Sequence, residues 1–274
     1  MSVQIIDGKK IAAEIRAEIK KEIAELGIVP GLAVILVGAD PASHLYVGLK
    51  EKAAAEVGIH FEKYLFFATE PEEKIIAKIQ ELNARPDIHG IIVQLPLPQG
   101  YDENKIIAAI DPKKDADGFH PENIKKILAG GMENIPPVLT GILKLIESTG
   151  TELKNKKITI LANSEILAKP LEKILTGNDI QTIITPATLT TEISDADIVI
   201  SVLGRAKIIT ADAIKPGAIL IDVGTTRLDD GTTVGDVDFA SASEKASWIT
   251  PVPGGVGPMT VAELLQNVLH LAKK

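Results

Sequence analysis

Short, uninterrupted apolar runs alternate along this chain with stretches in which apolar residues return every three or four positions. A run such as Leu32 to Val37 has no polar face, so it suits a strand buried on both sides. Such strands belong to parallel sheets covered by helices. Ile11, Ile15, Ile19, Ile23 and Leu26 recur near helical spacing, and Gly27 stops that helix. Asp40 and Pro41 read as the N-cap and first-turn proline of a second helix, which Gly58 ends. A strand is expected near Phe61 to Phe67. Thr69-Glu70-Pro71-Glu72 has capping-box spacing, with helical pattern to about Asn83. Gly90 to Leu95 reads as a third strand. This βαβαβ rhythm predicts a parallel sheet with right-handed crossovers.

Residues 111 to 137 interrupt the rhythm with Asp-Pro, Gly-Gly and Pro-Pro, and the junction between two domains is expected there. Beyond it, Ile158 to Leu161, Ile180 to Ile184, Ile198 to Val202 and Ala218 to Val223 read as strands, with helical pattern between several. This half looks like a nucleotide-binding α/β domain. Residues 250 to 260 read Thr-Pro-Val-Pro-Gly-Gly-Val-Gly-Pro-Met-Thr and lead into a helical pattern at Val261, Leu264, Leu265, Val268 and Leu269. Prolines fix φ there, while glycines permit backbone angles and close approaches that a Cβ would block. A rigid loop opening a helix offers backbone N–H groups to a flat or anionic ligand. The plain alternative is a tight connection between two elements.

At 274 residues the chain suits one large or two medium domains, on a scale of about 150 residues each. A formal charge of −8 argues against nonspecific nucleic-acid binding, which needs basic surface to displace counterions. The chain has no cysteine, which removes disulfides, thiolate zinc sites and cysteine nucleophiles together and fits a reducing, cytoplasmic setting. His44, His60, His89, His120 and His270 form no metal-spaced pair, so no metal is expected. No apolar run is long enough to span a membrane, and the N-terminus soon becomes a charged amphipathic helix unlike a signal peptide.

Ser43, Tyr46 and Lys50 are spaced by three and four on the second helix and share one face. A lysine near a buried face can have its pKa lowered by desolvation, which suits proton transfer near neutral pH. The alternative is a solvated lysine with a tyrosine covering the core. Gln94 ends the third strand, where ligands gather in open α/β sheets. An amide there can hold a lysine or a carbonyl without adding charge, or it can simply cap a proline-rich turn. Asp117, in Asp115-Ala116-Asp117-Gly118-Phe119, is either turn chemistry or a carboxylate for an amino-pyrimidone edge.

In their order and separations, five segments resemble bifunctional methylenetetrahydrofolate dehydrogenase/methenyltetrahydrofolate cyclohydrolase. They are Ser43-His44-Leu45-Tyr46-Val47-Gly48-Leu49-Lys50, Val93-Gln94-Leu95-Pro96-Leu97-Pro98, Lys114-Asp115-Ala116-Asp117-Gly118-Phe119, Ile221-Asp222-Val223-Gly224 and the 250–260 loop. The resemblance implies an α/β fold of two domains with substrate in the cleft between them. Residues 1–120, with a C-terminal helix at about 257–274, would be the folate-binding catalytic domain. Residues 140–250 would be a Rossmann-like dinucleotide-binding domain. It implies oxidation of 5,10-methylenetetrahydrofolate by hydride transfer to NADP or NAD, then hydrolysis to 10-formyltetrahydrofolate, in a homodimer. By the same likeness Lys50 is the general acid/base, Gln94 orients it, Tyr46 stacks on folate and Asp117 grips the pterin. Leu95, Pro96, Pro253, Gly254, Gly255 and Val256 line the site.

The cofactor half departs from the family. Where the family carries Gly-Arg-Ser-x-x-Val-Gly-x-Pro, this chain has Ala162-Asn163-Ser164-Glu165-Ile166-Leu167-Ala168-Lys169-Pro170. Methyls at 162 and 168 are expected to obstruct a pyrophosphate, and the missing arginine removes a charge for a 2′-phosphate. Thr185-Pro186-Ala187-Thr188 replaces a basic segment, and Pro137-Val138-Leu139-Thr140-Gly141 replaces the usual Cys-Thr-Pro-x-Gly. Cofactor contacts are expected at Ala162, Asn163, Ser164, Pro170, Thr185, Gly204, Thr225 and Gly255. Three readings stay open: both activities, the cyclohydrolase alone, or a non-catalytic folate-binding protein with a degenerate dinucleotide site.

Overall fold

The computed structural model describes residues 3–176, 179–184 and 193–274. The chain divides into two compact units, one of residues 12–137 with 261–274, the other of residues 1–11 with 138–260. In chain order the elements begin with β1 (Gln4–Ile5), α1 (Gly8–Leu26), β2 (Gly31–Val37), α2 (Pro41–Val57) and β3 (His60–Phe66). Next come α3 (Glu72–Ala84), β4 (Gly90–Val93), α4 (Glu103–Ile107), α5 (Pro121–Leu128) and α6 (Pro137–Glu147). Then follow β5 (Lys157–Ala162), α7 (Glu165–Ile174), β6 (Asp179–Ile184), β7 (Ile198–Val202) and β8 (Ile219–Asp222). A hairpin of β9 (Thr226–Arg227) and β10 (Thr233–Val234) leads through α8 (Phe239–Ala242) and β11 (Trp248–Ile249) to α9 (Val256–Ala272).

In the first unit three parallel strands lie in the order β3-β2-β4. All seven residues of the central strand β2 are buried, as its apolar run predicts. Ala33, Ile35 and Val37 pack on one face with Ile75, Ile79 and Leu82 of α3 and with Ile91 and Val93 of β4. The cap of α2 forms as its sequence suggests: the Ser43 N–H donates to Asp40 Oδ2 at 2.7 Å. Gly58 closes the helix at φ 89°, a conformation that costs a residue with a Cβ.

Two local expectations fail here. Thr69 caps nothing, because α3 starts two residues later than the capping box requires, with Pro71 at the N-cap and no side-chain cap bond. Glu70 instead pairs with Lys74, and Glu72 accepts the Asp102 N–H at 2.9 Å. β4 stops at Val93 rather than Leu95, ahead of the Pro-rich segment Leu95-Pro96-Leu97-Pro98, whose prolines have no N–H to give to a strand ladder. The Gln94 N–H still donates to Ile35 O at 2.8 Å, so its backbone remains fixed to the sheet.

The second unit holds a parallel sheet with the order β6-β5-β7-β8-β11-β1. Residues 4–5 supply its edge strand β1, which nothing in the local pattern announces. The chain runs from β5 out to β6 and returns on the other side of β5 to β7. That reversal is a topological switch point, where ligands of doubly wound sheets bind beyond the carboxyl ends. Helices were expected between several strands. Among the described residues only α7 is a full crossover helix, while a 3₁₀ turn at Ala211–Ala213 and the short α8 serve elsewhere. No helix of the described residues is long and apolar enough to cross a membrane.

The β2 core gives a stability test. Ile35 is fully buried between neighbours on both strands and α3. Ile35→Ala is expected to lower unfolding free energy by about 2–5 kcal/mol, read from urea denaturation.

Candidate active site

Lys50 lies on the buried stripe of α2, with Val47, Ala54 and Val57. It is only 9% exposed, whereas its apolar neighbour Leu49 is 45% exposed. The solvated-lysine alternative therefore fails. Its Nζ donates to Gln94 Oε1 at 3.0 Å, and Gln94 Nε2 donates to Leu95 O at 2.7 Å. The second bond fixes which end of the amide meets the amine. Ser43, one turn and more before Lys50, is buried too, and Tyr46 is partly open to solvent on the same helix. Asp117 is half-buried. Burial pushes its carboxyl above the ordinary carboxylate range, and the positive charge of Lys50 opposes that rise. Lys50, Gln94 and Asp117 thus form one electrostatic group within a single unit.

The turn that carries Asp117 is held by Asp115. Asp115 Oδ1 accepts the Gly118 N–H at 2.9 Å. Its Oδ2 accepts the His120 N–H at 2.8 Å and Asn123 Nδ2 at 2.9 Å. The turn's donors go to Asp115, so turn chemistry does not account for Asp117. Asn134 Nδ2 donates to Asp115 O at 2.6 Å, and Asn267 Nδ2 on α9 bridges Ala116 O and Ile135 O at 3.1 and 3.0 Å. Gly118, at φ 72°, lies so near Asn134 and Pro136 that a Cβ would meet them at 2.7 Å. Asn267 stands 151 residues from Ala116 in the chain, and no local signal marks it.

The remaining candidates lie in the other unit. Ala162 ends β5, and Asn163 and Ser164 follow it at the switch point. Gly204 follows β7, and Thr225 follows β8. Both are exposed, as is Asn163. Ser164 is the N-cap of α7 but makes no cap bond, so its hydroxyl is not committed to the helix. The expected obstruction at 162 and 168 is corrected by burial: Ala162 is 1% and Ala168 0% exposed. Their methyls fill protein packing and leave the solvent side to Asn163, Ser164 and Ile166. Pro170 is also buried, inside α7. Thr185 to Thr188 lie outside the described residues.

In the 250–260 loop Pro253 is exposed and follows a cis peptide, while Gly254 and Gly255 are buried. Val256 opens α9 and is buried as well. A Cβ on Gly255 would lie 2.7 Å from Thr250 Cβ, and one on Gly8 would lie 2.0 Å from Gly255 O. The Lys9 N–H donates to Gly254 O at 3.0 Å. Close packing thus requires glycine at 255 against Thr250 and Pro251 of its own loop, and glycine at 8 against Gly255.

Two family models cover most of the chain. Residues 6–117 match the catalytic domain of tetrahydrofolate dehydrogenase/cyclohydrolase, and residues 136–274 match its NAD(P)-binding domain. The chain belongs to the tetrahydrofolate dehydrogenase/cyclohydrolase family. The bifunctional protein FolD of Geobacillus thermodenitrificans is 46% identical over 100% of this chain and 99% of its own. The bifunctional FolD of Campylobacter jejuni has a TM-score of 0.94 at 38% identity, covering 99% of each chain. The Trypanosoma brucei enzyme, solved with NADP and an inhibitor, has a TM-score of 0.95 at 33% identity, covering 100% of this chain and 98% of that one. The family likeness spans both halves, so the altered 162–170 segment sits in an NAD(P)-binding domain that is otherwise complete in outline.

Asp115 is the residue of this site whose loss is readable in stability. Asp115→Ala leaves three donors without their acceptor, so it is expected to cost at least about 2 kcal/mol. Asp115→Asn keeps one acceptor oxygen and is expected to lose less in the same urea titration.

Proposed function

We propose that this chain is a bifunctional enzyme of one-carbon folate metabolism. It oxidises 5,10-methylenetetrahydrofolate to the 5,10-methenyl form with a nicotinamide cofactor and hydrolyses that product to 10-formyltetrahydrofolate. The observation that carries this reading is the buried amine of Lys50, 3.0 Å from the Gln94 carboxamide and under the influence of Asp117. A binding protein has no evident need to bury an amine against a neutral amide. A general acid/base does.

In the hydrolytic step water adds to the methenyl carbon. Lys50 Nζ takes the proton that this water loses as its C–O bond forms. The resulting ammonium returns a proton to N5 as the bond from that carbon to N5 breaks, and the hydroxyl left by the added water releases its remaining proton to solvent as it becomes the carbonyl of the formyl group on N10. Gln94 Oε1 holds Nζ through both stages by accepting from it, and adds no net charge of its own. Asp117 accepts from the N–H groups of the amino-pyrimidone ring, and Tyr46 offers its ring to stack on folate. Oxidation asks the protein mainly to align two carbons and exclude water.

The residues at the switch point fit a dinucleotide: exposed Asn163 and Thr225, Gly204 without a side chain, and an uncommitted Ser164 hydroxyl at a helix N-terminus. They would hold NAD or NADP, which supplies the hydride acceptor when bound. Asn163 in place of arginine removes one partner for a 2′-phosphate, and no Asp or Glu stands in Thr185-Pro186-Ala187-Thr188 for a ribose 2′-hydroxyl, so the residues select neither dinucleotide over the other. A homodimer in solution and a cytoplasmic setting complete this reading. The first follows the family likeness, and the second the lack of cysteine.

Three outcomes test it. Lys50→Met is expected to reduce methenyl hydrolysis by at least about 100-fold with unchanged circular dichroism, and undiminished hydrolysis refutes the assignment. Steady-state oxidation measured separately with each dinucleotide should show turnover with at least one, and turnover with neither overturns the dehydrogenase half. The third outcome concerns pH. Asp117 grips folate as the carboxylate, and burial raises its pKa. As pH falls through that raised value the acid takes up a proton, so the folate KM rises at a less acidic pH than an ordinary carboxylate would give. Asp117→Asn should abolish this acid limb, and a folate KM profile that persists in the variant removes Asp117 from the pterin.

A further inference from the structure

The segment Ile221-Asp222-Val223-Gly224 takes no part in the chemistry above, yet it carries one of two buried carboxylates beneath the carboxyl ends of β7 and β8. Asp222 is 2% and Asp236 0% exposed. Asp222 Oδ1 accepts the N–H groups of Gly224 and Asp236, both at 3.0 Å. Its Oδ2 accepts the Val237 N–H at 2.9 Å. Asp236 Oδ2 accepts the Ser201 hydroxyl at 2.6 Å and the Leu203 N–H at 2.7 Å. Its Oδ1 accepts the Arg205 N–H at 2.7 Å. The Thr250 hydroxyl donates to no carboxylate here; it accepts the backbone N–H of Asp222 at 2.8 Å and so ties in the head of the 250–260 loop.

Each carboxylate lies directly against a glycine. A Cβ on Gly235 would come within 1.9 Å of Asp222 Oδ2, and one on Gly224 within 2.1 Å of the Asp236 carboxyl. The pairing of aspartate and glycine in Asp222-Val223-Gly224 and Gly235-Asp236 is therefore one packed unit. The charged groups that face Asp222 are Asp236 and Lys207, the latter lining the same small cavity. Burial pushes Asp222 up to about 7, consistent with a carboxyl held out of water.

Five of the six bonds come from the backbone N–H groups of residues 203, 205, 224, 236 and 237, and the sixth from the Ser201 hydroxyl. Gly204 lies between the first two of these residues, and Thr225 follows the third. We propose that Asp222 and Asp236 form a clasp that positions the dinucleotide-facing loops after β7 and β8, and that they serve the dehydrogenase half alone. This inference rests on the proposed function for its ligand. Its structural part, the fixing of those loops, stands on the bonds themselves. Both aspartates are positioning residues, since each acts through backbone that it holds.

The test compares wild type with Asp222→Asn, in which an amide N–H₂ replaces one acceptor oxygen, and with the milder Ser201→Ala, which removes one donor to Asp236. Calorimetry with NAD and with NADP should show affinity weakened about tenfold in Asp222→Asn and a few-fold in Ser201→Ala. Methenyl hydrolysis by the same preparations should stay within twofold of wild type. In the protein without dinucleotide, amide exchange should quicken at 203–205, 224 and 236–237 and stay unchanged in β2. Unaltered exchange and affinity in both variants overturn the clasp, as does hydrolysis that falls in step with affinity. A wild type that binds neither dinucleotide defeats the dehydrogenase reading instead, and the exchange comparison still decides the clasp. Should Asp222→Asn fail to fold, Ser201→Ala carries the same comparisons.

Discussion

A lysine amine withdrawn from water on the core-facing side of a helix governs the rest of the catalytic unit. Val47, Ala54 and Val57 fix the rotation of α2 by burying their side chains, and Lys50 falls on their stripe. Leu45 and Leu49 stay 58% and 45% exposed as a result. Burying a charge while leaving leucines in water runs against the usual partition. It is tolerable because Gln94 Oε1 meets the amine and Asp117 supplies opposing charge nearby. Each partner needs rigid support in turn. Gln94 leaves β4 with its backbone still bonded to Ile35, and its amide is locked by Leu95 O. The sheet, the turn after β4 and the 115–123 loop together hold the partners of one buried amine.

Much of this was legible in residues, and the failures have causes. β2 is readable because a run without polar faces has few other fates, and α2 because Asp40, Pro41 and Gly58 mark its ends through local bonds. The capping box at Thr69 fails because a proline can occupy the N-cap itself, and spacing alone does not show that. The alanines at 162 and 168 look obstructive in a motif, since a motif records which residue is present but not which way its methyl points. Both methyls point into packing. Asn267 is invisible to any local reading, because its partners Ala116 and Ile135 come from far along the chain. That Gln94 orients Lys50 is an expectation of the family likeness, since residue types alone leave the amide free to meet a lysine, a carbonyl or a turn, and the structure supplies the 3.0 Å distance.

The aspartates of this chain show why residue type alone cannot assign a role. Asp115, Asp222 and Asp236 each receive three hydrogen bonds from the protein, mostly from backbone N–H groups. Their acceptor capacity is committed to holding loops. Among the described residues no backbone N–H donates to Asp117, and burial and the charge of Lys50 are what act on its carboxyl. A carboxylate that is partly desolvated and left without protein donors is costly unless something else supplies them. The amino-pyrimidone edge of a pterin has donors of the required kind. The cost of leaving Asp117 unserved by its own loop is therefore the physical reason to place a ligand there, and Asp115, two residues earlier, shows that the loop had donors to give and directs them elsewhere.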